Sequence, residues 1–574
     1  MKRENLTVLF PYQDSVTWNA LTEETLHDLG IDFICEKVTA DPKERVLILQ
    51  ILGNMTADAR VTRFRCEVFD DLYRNPDIRK RMLELLGHVK FLNDYGTVRR
   101  PSEEAAGLWD LLHRLDEIND YISTVEALED CLKNRELHSE GMRELRRGIE
   151  AIRHDSGFDE LKKDISNLKT DANSLKSVTV GINLNERMEA TGIGLIAANS
   201  KFFTRSNILR SFSDAISRKD QLKQEAEWDG SMNWHPATGL LDKLADGMEN
   251  VTWRVLPKIN PIAAVTMARV TGDDGTRDIP RTMDSALNNL LSATVRKLRD
   301  TLNKYATVSI REMTELIPEL VFYVRWAEFI ERLRAKGWQF CEAEAEDSPD
   351  GAPQMEAKGF YNLKLTAVET PESTVANDLD FDAEKRVYLL TGANRGGKTT
   401  VTQAVGQLML LAQGGIYVPA ESFRFTPADG IYTHFPADED RTLDLGRLGE
   451  ECKRFRELFE KCTESSLLLL NETFSTTSFE EGYYIAADAI RAILSRGTRT
   501  IYNTHMHKLA KELEQFNRED GKAKAVSLIV RSEGGKRSFR VEIAPPEGTS
   551  LARDIAEKYG VTYEALTGTA EERN

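Results

Sequence analysis

The stretch Gly392-Ala393-Asn394-Arg395-Gly396-Gly397-Lys398-Thr399 follows the pattern G-x-x-x-x-G-K-[ST], and each residue type in it has a chemical reason to be there. Gly392, Gly396 and Gly397 leave backbone N–H groups able to close around phosphate oxygens. The helix expected to begin at Lys398 adds a dipole that favours negative charge. Lys398 supplies a mobile cation for β and γ phosphates, and the Thr399 hydroxyl is a ligand for Mg²⁺. Asn394 inside the loop and Thr400 just after it complete the group read as nucleotide contacts.

About 70 residues on, the apolar run Leu467-Leu468-Leu469-Leu470 ends in Asn471-Glu472, where a P-loop ATPase ordinarily carries an acidic pair at a strand end. Asn471 is neutral. It can offer Mg²⁺ a carbonyl oxygen, with less electrostatic attraction than a carboxylate. Glu472 is the candidate general base that polarises a water for in-line attack. Further along, Thr504-His505-Met506-His507 follows Thr500-Ile501-Tyr502, and a histidine at the C-terminal end of a parallel strand can reach a bound γ-phosphate. A metal-binding H-x-H is the weaker reading, because the chain has only nine histidines and no cysteine or carboxylate cluster lies close in sequence.

These residues need an alternating strand and helix scaffold, and the pattern supplies one. Val387–Leu390 reads as a strand, Lys398–Leu411 as a helix, Leu467–Leu470 as a buried strand, Tyr483–Leu494 as a helix and Thr500–Tyr502 as another strand. The region before it has a different texture. No proline occurs between Pro101 and Pro236, and apolar residues recur at helical spacing in Ile122, Val125, Leu128 and Leu132, then Leu145, Ile149 and Ile152. Val178-Thr179-Val180 and Leu195-Ile196 are short β-like runs. Helical signal resumes over Thr282–Tyr305 and Met313–Arg334. The acidic segment Glu342–Lys358, broken by Pro349, Gly351 and Pro353, reads as the main domain boundary.

The 574-residue length implies about three to five domains. A formal net charge of −17 means that the molecule as a whole does not attract polyanions, so any nucleic-acid surface must be local. The six cysteines form no CxxC pair, and no run of about 18 apolar residues is uninterrupted. The reading is a cytoplasmic protein with no membrane partner.

Several motifs in one order resemble the MutS family of DNA-repair ATPases. GANRGGKTT is similar to that family's G-P-N-M-G-G-K-S-T, and VGQLMLLAQGGIYVPA to its following helix and V-P-A turn. NETFSTTSFEEG resembles D-E-x-G-R-G-T-S-x-x-x-G, with Thr477, Ser478 and Gly482 matching. NTHMHKL resembles A-T-H-Y-H-E-L, which makes His505 the γ-phosphate histidine, and LGIDFICEKVTADPKERVLILQIL resembles the start of the helical core. The resemblance implies ATP and Mg²⁺ as ligands, Glu472 and His505 as catalytic residues, Thr399 and Asn471 at the metal, and Asn377 on the nucleotide. It also implies a homodimer.

There are departures. The adenine-stacking aromatic falls on Thr374, and Asp444–Glu451 stands where the family has a serine-bearing segment that reaches the partner's ATP. The helical core starts near Leu29, leaving no room for a mismatch-recognition domain, and the chain ends soon after candidate dimer helices at Ser550–Leu566, leaving none for a Smr nuclease. The implied fold is multidomain: a mainly α-helical connector, lever and clamp region followed by an α/β ABC-type P-loop ATPase domain. Residues 1–175 and 271–335 would form connector and levers, 176–270 a clamp, and 336–574 the ATPase. In the clamp, Lys201, Arg205, Arg210, Arg218, Lys219 and Lys223 are offset only by Asp214 and Asp220, a local positive patch for DNA or else the basic outer face of an ordinary amphipathic helix. The function expected is a nucleotide-gated dimeric clamp on branched or distorted DNA. The alternatives are an ATP-driven remodelling factor on ribosomes or another nucleoprotein, and a slowly hydrolysing, nucleotide-gated binding module.

Overall fold

The computed structural model describes residues 6–12, 15–95, 108–172, 177–184, 190–199, 292–305, 310–347, 353–392, 396–436, 446–475, 477–519, 521–533, 536–546 and 559–567. The six basic residues from Lys201 to Lys223, Asn394, and most of the candidate dimer helices lie outside them. Along the chain the strands are β1 (Asn19–Ala20), β2 (Asn54–Met55), β3 (Ser177–Leu184), β4 (Ala190–Asn199), β5 (Ala343–Ala345), β6 (Met355–Phe360), β7 (Asn377–Phe381), β8 (Lys385–Thr391), β9 (Ser422–Phe425), β10 (Ile431–His434), β11 (Leu467–Asn471), β12 (Arg499–Asn503), β13 (Lys524–Glu533) and β14 (Lys536–Ile543). With the helices between them they make a mixed α/β protein that divides into two compact units, one of Met1–Leu86, Cys131–Gly148 and Glu315–Asn574, the other of Gly87–Asp130 and Ile149–Thr314.

The first unit is organised by a six-stranded sheet of order β10-β11-β12-β8-β13-β14, parallel except for the β13–β14 hairpin. Leu467–Leu470 of β11 and Val387–Leu390 of β8 read as unbroken apolar runs because both faces are covered. Leu467, Leu468, Leu469 and Leu470 are all fully buried, each contributing about 1.5–3 kcal/mol of burial. One face packs against helix Phe479–Arg496 through Ala486, Ile490 and Ile493, and against Leu509 and Phe516 beyond β12. The other meets helix Lys398–Gln413, nearly every residue of which is buried. At Gly406 a Cβ would come within 2.3 Å of Leu29 and 2.8 Å of Leu469, so the missing side chain sets how closely this helix fits between the sheet and the N-terminal helices.

Those N-terminal helices start where caps dictate. Asp41 precedes Pro42 at the first helical position, and Asp58 caps Ala59–Arg74 by accepting from Arg60 N. They are tied to helix Lys398–Gln413 by amides: Gln403 donates to the Asp28 carbonyl at 2.7 Å and Gln407 to the Leu29 carbonyl at 2.8 Å. The buried Arg65 guanidinium donates to the carbonyls of Leu9 at 2.7 Å and Gln413 at 2.8 Å. A second sheet, of order β5-β9-β6-β7, has the alternating burial of strands with one covered face. Both ends of the acidic segment Glu342–Lys358 therefore belong to one sheet as β5 and β6. Its breakers Pro349 and Gly351 lie outside the described residues.

In the second unit the helical spacing does what it predicts. Ile118, Ile122, Val125 and Leu128 are buried on helix Leu108–Leu132, and Phe158, Leu161, Ile165 and Leu168 on helix Ser156–Ala172. Tyr305 OH donates to Asp164 at 2.9 Å, tying helix Ser292–Lys304 to helix Ser156–Ala172. The two short β-like runs widen into the antiparallel pair β3 and β4. Among the described residues no helix is long and apolar enough to cross a membrane.

Candidate nucleotide site

Three adjacent parallel strands, β11, β12 and β8, end at the same edge of the sheet, and their C-terminal residues carry the site. β8 runs out at Thr391 into Gly392, whose φ is +137° and whose absent Cβ would sit 3.2–3.3 Å from atoms of Val530. Only glycine fits both the conformation and the space. Gly397, with φ +94°, caps helix Lys398–Gln413 without a side-chain hydrogen bond, so the helix begins there with its backbone N–H groups and the positive end of its dipole. Lys398 is buried, with Nζ 3.0 Å from the Gly392 carbonyl. Burial pulls its ammonium below the usual lysine range, and the nearby Glu472 carboxylate partly restores it.

Asn471, the last residue of β11, sits in register with Asn503, the last residue of β12. Thr399 Oγ1 donates to Asn471 Oδ1 at 3.1 Å. Asn503 Nδ2 also donates to Asn471 Oδ1, in a short hydrogen bond, and approaches Thr399 Oγ1 at 3.4 Å. Asn503 is absent from the site residues read from the sequence, since only register brings it to Asn471, 32 positions away. Glu472 turns out of the strand with φ +54°, its N–H donating to the Asn503 carbonyl at 2.8 Å. This turn carries its carboxylate to His505, with Oε1 2.9 Å from Nε2. Glu472 and His505 thus meet across the two strand ends.

The segment after Glu472 is held by its own hydroxyls. Ser478 caps helix Phe479–Arg496, and Thr477 and Ser478 both donate to Glu481, at 2.5 and 2.9 Å, lowering its carboxyl pKa. Gly482 has no room for a side chain, since a Cβ would lie 2.4 Å from the Phe474 carbonyl and 3.0 Å from Met506. Thr473 bonds His434 Nδ1 at 3.1 Å, and His434 Nε2 meets the Glu451 carbonyl at 3.3 Å. Burial brings this histidine's pKa down to about 4, so it is neutral at neutral pH. His507 Nδ1 is buried without a hydrogen-bond partner among the described residues, and burial first, then His505 and Lys398, lower its pKa. Among the described residues no three histidines, cysteines or carboxylates are grouped to hold a metal ion.

Gly396, Gly397, Lys398, Thr399, Thr400, Glu472, His505 and Asn377 all line one cavity of ≈ 680 Å³, within the range of small-molecule sites. Its remaining wall combines Phe360, Tyr361, Leu365, Val375 and Phe539 with the polar Asn362, Glu369 and Ser373. Thr374 is not in that wall; its hydroxyl bonds Glu369 at 2.9 Å and the Thr370 carbonyl at 3.1 Å. The aromatic rings in that wall are Phe360, Tyr361 and, on β14, Phe539, which is 44 % exposed with φ +55°. No local motif marks this residue. Asn377 lines the cavity with its amide already engaged: Oδ1 accepts from Val541 N at 2.9 Å and Nδ2 donates to the Phe539 carbonyl at 3.3 Å. It therefore fixes the strand that carries Phe539.

Residues 388–568 match MutS domain V and residues 57–336 match the MutS2 N-terminal domain. Among curated relatives, a DNA mismatch repair protein MutS from Chlorobium phaeovibrioides is 31% identical over 264 residues, covering 46% of this chain and 29% of the relative. The Endonuclease MutS2 of Thermus thermophilus is 28% identical over 192 residues, 33% of this chain and 25% of that one. The MutS of Chlorobium chlorochromatii is 36% identical over 145 residues, 25% and 16% respectively. The chain belongs to the MutS family. It aligns with less than a third of the length of each of these relatives.

Proposed function

We propose that this chain is a MutS-like, DNA-binding ATPase that uses ATP and Mg²⁺ to gate a dimeric clamp on branched or distorted DNA. The observation that carries the reading is the convergence of Lys398, the Thr399–Asn471 pair and the Glu472–His505 pair at three neighbouring strand ends around one cavity. Lys398 exchanges the Gly392 carbonyl for phosphate oxygens, and the N–H groups at the start of helix Lys398–Gln413 take the rest of the charge. Phe539 and Val375 offer an apolar wall for a base. The atoms able to accept a cation there are the Thr399 hydroxyl and the Asn471 carbonyl oxygen, with the Asn503 NH₂ beside both; oxygen ligands of this kind suit a hard octahedral cation held mostly by phosphate and water. When bound, that cation neutralises charge on the transferred phosphoryl group. Glu472 accepts the proton of the attacking water, and His505 holds the carboxylate on one side while facing the γ-phosphate position.

The neutral Asn471 favours slow turnover, which keeps the nucleotide-gated binding module as the second reading. DNA binding rests on the family and on the basic residues from Lys201 to Lys223, as a local positive patch on a protein of net charge −17. Shape and phosphate contacts then decide the ligand rather than base edges. A cytoplasmic homodimer is the setting proposed. The test is a binding panel of homoduplex, mismatched, branched and single-stranded DNA with and without ATP. Tighter, ATP-dependent binding of branched DNA supports the reading, and equal binding of all forms in both nucleotide states defeats it.

A further inference from the structure

The contact between Asn471 and Asn503 has a chemical consequence that rests on the nucleotide-site reading above. A carboxylate at the end of β11 would present an oxygen to a cation whichever way its terminal group turned. An amide has two unlike ends, and only the carbonyl end attracts a cation, while the NH₂ end repels it. A half-turn about the last side-chain bond of Asn471 would therefore convert the site from cation-accepting to cation-rejecting. Thr399 cannot prevent that turn, because its hydroxyl donates to an oxygen and accepts from an NH₂ equally well. Asn503 opposes it: its Nδ2 donates to Asn471 Oδ1 and approaches Thr399 Oγ1, so turning Asn471 alone would set two NH₂ groups against each other.

We infer that Asn503 is a positioning residue that holds the Asn471 amide with its carbonyl oxygen toward Thr399, making a neutral pair do the work of the single acidic residue usual at this strand end. The placement supports it. The two residues occupy matched register positions on β11 and β12, and both are buried, at 8% and 1% exposure. Water is thus a poor competitor for their hydrogen bonds. Asn503 Nδ2 meets Asn471 Oδ1 and Thr399 Oγ1 together, so a turn of either amide alone would bring like ends against each other. The Asn503 backbone carbonyl meanwhile accepts from Glu472 N, which ties the positioning residue to the turn carrying the proposed base.

The experiment is binding of a non-hydrolysable ATP analogue to the full chain, titrated with Mg²⁺ and compared with binding in EDTA. Asn503→Ala should raise the Mg²⁺ concentration that half-maximally strengthens analogue binding by about tenfold, the lower end for loss of an outer-shell partner. In an Asn471→Asp background the same Asn503→Ala change should move it less than about twofold, because a carboxylate needs no orienting. Asn503→Leu, which removes the donor with little loss of volume, should repeat the pattern if the alanine variant is unstable. Equal Mg²⁺ shifts in both backgrounds, or none in either, would make Asn503 a purely structural residue and overturn the inference. Failure of the unmodified protein to bind the analogue at all would instead defeat the nucleotide-site reading.

Discussion

Lys398 is buried, its Nζ sits on the Gly392 carbonyl, and burial holds its ammonium below the ordinary range. A desolvated cation of this kind gains more from a phosphate than an exposed one does, because its water has already been given up. Lys398→Ala should therefore weaken ATP binding by about ten- to a hundredfold, the range for a charge-assisted hydrogen bond. Calorimetric titration would read this, and unchanged affinity would remove Lys398 from the phosphate site. Asn471 shows how a neutral residue changes meaning with its neighbours. Alone it would be a weakened ligand for the proposed metal, whereas beside Asn503 and Thr399 its carbonyl oxygen accepts from both.

At the scale of elements, His434 joins three of them: it ends β10, bonds Thr473 just past Glu472, and meets the Glu451 carbonyl on helix Gly446–Lys461. Its folded pKa is near 4 against 6.5 when free. Between those values the unfolded chain binds a proton that the folded one excludes, so stability is full above about pH 6.5 and falls as pH drops toward 4, by up to about 3 kcal/mol. Urea midpoints at pH 8 and pH 5 should differ accordingly, and His434→Gln should shrink the difference; an unchanged difference would place the titration elsewhere. The strands and helices around the site are legible in sequence because apolar runs such as Leu467–Leu470 and the glycine pattern at Gly392–Gly397 are local signals. Helix Phe479–Arg496 runs four residues further at its start than its apolar pattern suggests, because Ser478 supplies a cap and Glu480 and Glu481 a favourable first turn. What stays hidden depends on partners distant in sequence. Phe539 reaches the cavity through the β13–β14 hairpin, Asn503 meets Asn471 through strand register, and β5 and β6 join one sheet despite the breakers between them.

The whole molecule is acidic, with 93 acidic against 76 basic side chains, so plain duplex should bind weakly and branched DNA better, where separated phosphate tracks can each meet a local basic patch. Reversing charge at Arg205, Arg210, Arg218 and Lys219 should lower affinity for all DNA sequences about equally and flatten the salt dependence by up to roughly 0.9 per lost phosphate contact. Filter binding across salt concentrations would show it, and a variant binding every DNA as well as the unmodified protein would remove these residues from the interface. In the proposed function, whatever the DNA, gating requires ATP turnover at the strand ends where Glu472 meets His505. Glu472→Ala removes the carboxylate proposed to activate water and leaves Lys398 and the backbone cradle in place. Single-turnover hydrolysis of pre-bound ATP by this variant should be slower by about 10²–10⁴-fold, with ATP affinity within about threefold of the unmodified protein. Hydrolysis at the unmodified rate would contradict the assignment of this site as the ATPase centre.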